Sequence, residues 1–98
     1  MKIAFLYAGQ GSQKVGMGLD FYEQNQLYKE TIDMFDIRYR NLMHEGPMEE
    51  LSMTRNTQPC MALFGAAITK LLFEKGIRPD YVAGLSLGEY NALYAAGV

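Results

Sequence analysis

A chain of 98 residues has room for one domain and is too short to enclose a deep cleft between two. With 49% hydrophobic and 20% charged residues it can form a packed core, and a net charge of -2 excludes a general basic surface for nucleic acid. The single cysteine, Cys60, excludes an internal disulfide; its apolar surroundings predict a buried thiol and a reducing, cytoplasmic setting. The N-terminal "IAFLYAG" is too short for an export signal, and no run approaches membrane-spanning length, which predicts a soluble chain without a membrane partner.

In chain order, "KIAFLY" (residues 2 to 7) is short, apolar and closed by Gly9 and Gly11, the pattern of a buried parallel strand. From Gly18 to His44 the spacing predicts short surface helices, with Tyr28, Ile32 and Phe35 on one face and Tyr39, Leu42 and Met43 on another. In "EGPMEEL", Pro47 leads Glu49 and Glu50 into a single helical turn, where carboxylates complement exposed amides. The strongest helix signal is residues 56 to 76. Asn56 and Thr57 stand as capping candidates, Pro59 in the first turn, and Lys75 with Gly76 at the exit. Cys60 to Ile68 is apolar nearly all round, so this helix is expected to be central. "YVAGL" then reads as a second strand and "LGEYNALYAAG" as a second helix. Strand, helices, strand, helix is an α/β order, with the long helix as a right-handed crossover between parallel strands.

The chemistry concentrates at the second strand's exit. Gly84-Leu85-Ser86-Leu87-Gly88 matches G-x-S-x-G between an apolar strand and a helix, the context in which such a serine is a nucleophile on a sharp turn. Glycines two residues to either side let strand and helix approach closely, and the amides that follow could face an oxyanion. The same spacing also fits a tight corner in which Ser86 only caps the helix. After the first strand, "AGQGSQ" supplies a second glycine loop. It is not a dinucleotide fingerprint, because Lys14 stands where a third glycine is needed, and no glycine precedes Lys14 as a phosphate loop requires.

Together, "GQGSQ" (residues 9 to 13), "GMG" (16 to 18), "TRNTQP" (54 to 59) and "GLSLGEY" (84 to 90) resemble the malonyl-CoA:acyl carrier protein transacylases and the acyltransferase domains of polyketide synthases, in order and spacing. The resemblance implies an α/β-hydrolase-like acyltransferase core, a short parallel sheet flanked by helices. It implies Ser86 as the nucleophile that carries the malonyl group, and the backbone amides of Gln10 and Leu87 as the oxyanion hole. Malonyl-CoA is then substrate and acyl carrier protein partner, with no cofactor and no metal. Glu89 and Gln58 also fall on family motifs, and helix-start and capping roles are expected for them. Two positions depart from the family pattern: Leu85 stands where histidine often precedes the nucleophile, and Ala8 where proline often precedes the glycine loop.

The resemblance further implies a longer domain, of which residues 1 to 98 are a partial one. The catalytic histidine, the arginine that binds the malonyl carboxylate and a ferredoxin-like subdomain would lie in the remainder. The only histidine, His44, falls at a helix end before a turn, where an exposed or capping role is expected. On its own the chain is expected to be feebly active, and its unpaired strand edges and apolar helix predict self-association. Two other classes fit parts of the pattern: a carrier-protein-binding remnant without catalysis, and a serine esterase, though no HGGG-type loop is present.

Overall fold

Two short strands and five helices account for the regular structure of the computed structural model, which describes residues 2–9 and 11–84. In order they are β1 (Ala4–Tyr7), α1 (Leu19–Gln24), α2 (Gln26–Asp33), α3 (Ile37–Glu45), α4 (Met48–Leu51), α5 (Thr54–Glu74) and β2 (Tyr81–Gly84). The expected elbow at Ser86 and the helix after it lie outside the described residues. The strands pair in parallel, Ala4 with Tyr81 through Tyr7 with Gly84, as the α/β order predicts. Their register is pinned at the start by Asp80, whose carboxylate accepts from the Ile3 amide at 2.7 Å while its own amide donates to the Ile3 carbonyl at 2.7 Å.

Alternation along β1 turns Phe5 toward α5, where its ring stacks on Phe73 at 6.4 Å, and the Tyr7 hydroxyl reaches Thr69 Oγ1 at 2.5 Å. On its other side α5 meets the small helices. The core there is Tyr28 and Ile32 of α2, Met43 of α3, Leu51 of α4, and Cys60, Leu63, Ala67 and Leu71 of α5. From Pro59 to Phe73 no residue of α5 is exposed, which is why its sequence is apolar almost all round. That helix is therefore covered, and contributes little of the bare apolar surface expected to drive association. Exposed apolar side chains lie instead on the sheet, where Leu6 is 79% and Tyr81 60% exposed, and between α2 and α3, where Met34 is 73% exposed.

Three other expectations are corrected. Helix α5 begins at Thr54 with Met53 at its N-cap, so Asn56, Thr57 and Pro59 lie inside it. Asn56 and Thr57 act as donors to the preceding turn: Asn56 Nδ2 to the Glu50 carbonyl at 2.9 Å, and Thr57 Oγ1 to the carbonyls of Leu51 and Met53. Phe35 falls beyond the end of α2 and is 54% exposed, so it does not share the buried face of Tyr28 and Ile32. His44 is half-buried rather than exposed, its ring edge-on to Tyr22 at 4.9 Å. The exit of α5 follows expectation, with the Gly76 amide bonded to the Phe73 carbonyl and the Ile77 amide to that of Leu72.

Candidate active site

Parallel pairing with Tyr7 opposite Gly84 brings the C-terminal ends of both strands to one edge of the sheet. The two glycine-bearing segments therefore leave from adjacent points. In open α/β sheets this is the edge at which ligands bind, because loops from neighbouring strands diverge there. The proposed nucleophile Ser86 and the proposed oxyanion donors Gln10 and Leu87 lie outside the described residues, as does Glu89; the structure describes the frame around them.

That frame is specific on the β1 side. Gly9 is buried, and its carbonyl accepts from the Ser12 amide at 3.3 Å to close a tight turn. Gly11 has φ +106°, which L side chains rarely adopt, and a Cβ there would meet nothing within 4 Å; conformation, not space, calls for glycine. Gln13 turns back over the turn. Its Oε1 accepts from the Gly11 amide at 2.7 Å, and its Nε2 donates to Ser52 Oγ, between α4 and α5, at 3.3 Å. Farther on, the Gly16 amide donates to the Met43 carbonyl at 2.7 Å and ties the exit of the loop to α3.

Beside the loop a groove of about 370 Å³ runs between β1 and α5, walled by Leu6, Ala8, Met61, Phe64, Gly65 and Ile68 among others; none of the described residues lining it is charged. Among the described residues no group of acidic, histidine or cysteine side chains could hold a metal ion, and no helix is long and apolar enough to cross a membrane.

Of the other residues singled out in the sequence, Gln58 is exposed on the first turns of α5. His44 sits in the last turn of α3, where burial and then the charge of Arg40 hold its imidazole below the ordinary range. Its Nε2 is buried with no hydrogen-bond partner among the described residues, which favours a packed neutral ring. Cys60 is fully buried and donates weakly to the Tyr39 carbonyl at 3.8 Å; burial pushes its thiol up to about 11. Sequence reading gave Gln13 no role, although it closes the quoted "GQGSQ". A polar residue ending a glycine loop was the available signal.

Two parallel strands opening together, one into a glycine-rich loop and one toward G-x-S-x-G, joined by a long crossover helix, are the framework of an α/β acyltransferase core. The chain belongs to the acyl transferase domain family, which it matches over residues 4–98. It is 46% identical over 100 residues to a malonyl CoA-acyl carrier protein transacylase of Bacillus subtilis (strain 168), covering 98% of this chain and 32% of that protein. The crystal structure of MCAT from Streptococcus pneumoniae superposes with a TM-score of 0.87 at 51% identity, over 98% of this chain and 32% of that one. A malonyl-transacylase solved in complex with a type II PKS acyl-carrier protein matches with a TM-score of 0.87 at 37% identity, over 100% of this chain and 33% of that one. The chain thus spans about a third of the length of these relatives.

Proposed function

We propose that this chain carries the nucleophile and oxyanion loop of a malonyl-CoA:acyl carrier protein transacylase, in fatty-acid or polyketide synthesis in the cytoplasm. The observation that carries the reading is the shared edge: β1 and β2 end side by side, one entering "GQGSQ" and the other "GLSLGEY". Ser86 Oγ attacks the thioester carbonyl of malonyl-CoA and loses its proton to a base; the tetrahedral oxyanion is met by the amides of Gln10 and Leu87. The carbon–sulfur bond breaks, coenzyme A leaves as the thiol after taking a proton, and malonyl-Ser86 remains. The phosphopantetheine thiol of acyl carrier protein then attacks that ester and restores Ser86.

Prolonged incubation with malonyl-CoA, as the feeble activity expected of these 98 residues requires, followed by peptide mapping, should place an acyl group on Ser86, and adding acyl carrier protein should move it to the carrier. Ser86→Ala should abolish both steps. An acyl group on another residue, or carrier binding with no acyl-serine at all, would overturn the transferase reading in favour of a binding role. Self-association through the bare face of the sheet belongs to the same proposal, and light scattering on the same samples would show it as a mass that grows with concentration.

A further inference from the structure

Among the described residues, hydrogen bonds tie down the loop after β1. No atom would touch a Cβ on Gly11, and the Ser12-to-Gly9 bond that closes the turn is long at 3.3 Å. The entry is fixed by β1, and the exit by the bond from Gly16 to Met43. Between them, among the described residues, a short contact runs from the Gly11 amide to Gln13 at 2.7 Å. Gln13 is only 9% exposed. The Gly11 amide can only donate, so the atom facing it is Oε1, which leaves Nε2 to donate to Ser52. A side-chain amide is what this position needs, since it accepts at one end and donates at the other.

We propose that Gln13 is a positioning residue for acyl transfer: by clamping the Gly11 amide and anchoring on Ser52, it holds in place the loop that carries the proposed oxyanion donor. The inference rests on the transferase reading above. An oxyanion donor helps only if it is already aimed when charge develops, and Gly11, at which a Cβ would meet nothing within 4 Å, has no packing of its own there to hold that aim. Gln13 touches no reacting atom; it acts through the loop, and Ser52 couples the loop to the helical layer.

Gln13→Met keeps the length of the side chain and removes both hydrogen bonds. Gln13→Glu keeps an acceptor for Gly11 and lets the Ser52 hydroxyl reverse to donor. Ser52→Ala, at an exposed position, removes only the anchor. In the purified protein, exchange of the Gly11 amide, read by NMR after labelling glycine with nitrogen-15, should speed up on the order of tenfold in Gln13→Met, less in Ser52→Ala and little in Gln13→Glu. Acylation of Ser86 by malonyl-CoA should slow on the order of tenfold to a hundredfold in Gln13→Met, with KM changed by less than about twofold. Parent-like Gly11 exchange or a parent-like acylation rate in Gln13→Met would overturn the proposal while leaving the transferase reading intact. A parent protein that forms no acyl-serine would instead sink that reading, and Gly11 exchange alone would then decide whether Gln13 holds the loop. Should Gln13→Met fail to fold, Ser52→Ala carries the same two measurements.

Discussion

Gly18 and Gly11 share a positive φ, +74° and +106°, yet the two glycines answer to different constraints. A Cβ on Gly18 would overlap the Tyr28 hydroxyl and come within 3.0 Å of Phe64 Cε1, whereas on Gly11 it would meet open space. Tyr28 cannot retreat, being fully buried with its ring set between those of Phe21 and Phe64. Gly18→Ala therefore combines overpacking with backbone strain and should cost ~2–4 kcal/mol, while Gly11→Ala bears only the strain, ~1–2 kcal/mol. The Tyr28 hydroxyl has no hydrogen-bond partner among the described residues, so Tyr28→Phe should leave stability unchanged or raise it, and should recover part of the Gly18→Ala loss when the two are combined. Urea unfolding of the four variants measures this; additive effects for the Gly18 and Tyr28 pair would refute the steric account. "GMG" was legible in the sequence as part of a family pattern, but the reason for its second glycine was not, because the ring it accommodates comes from α2.

At the scale of elements, the apolar run and the Lys75–Gly76 exit made α5 legible, while its start was misread. Pro59 and the polar pair Asn56 and Thr57 look like start signals, but the helix already begins ahead of them, at Thr54. A proline at the sixth helical position removes the amide that would have bonded the Arg55 carbonyl, a loss that local propensity alone would not favour. Tertiary contact offsets it: Thr57 Oγ1, fully buried, bonds back to the Leu51 and Met53 carbonyls and joins α4 to α5. No periodicity encodes that contact. Thr57→Val keeps the shape and removes the donor, and should destabilise the fold by ~1–3 kcal/mol, since the Leu51 carbonyl is left without this partner. Thr57→Ser keeps the hydroxyl and should recover most of the loss in thermal unfolding; a larger loss for Ser than for Val would mean that the methyl, not the hydroxyl, holds the joint.

For the molecule as a whole, the parallel pairing and the crossover were readable because two short apolar runs flank a long apolar helix, an α/β order that dictates parallel strands. Burial of His44 was not, since its cover, Tyr22, comes from α1 across the chain. That burial sets the acid limit of stability. The His44 ring is faced by Tyr22 and Arg40, with Glu45, Glu23 and Asp33 acting in the opposite sense, and the net effect holds it below its ordinary 6.5. An unfolded chain then binds a proton that the folded one resists, so stability is present above about pH 6.5 and declines as pH falls below it. Cys60 sets the alkaline limit with the opposite sign. Its thiol rises from 9.0 to about 11 in the fold, so the unfolded chain ionises first and stability declines as pH climbs past about 9, by no more than ~1.4 kcal/mol per pH unit for one proton. Tyr28, raised by burial and then by Asp20, adds to the decline above pH 10. Urea unfolding should therefore show a plateau between about pH 6.5 and 9. His44→Phe should flatten the slope below about pH 6.5, and Cys60→Ala the slope between about pH 9 and 10, each leaving the other limb in place. An acid limb unchanged in His44→Phe would assign the decline to carboxylates such as Asp33 and Asp36, whose ion pairs with Lys29 and Arg38 should begin to fail only near pH 4.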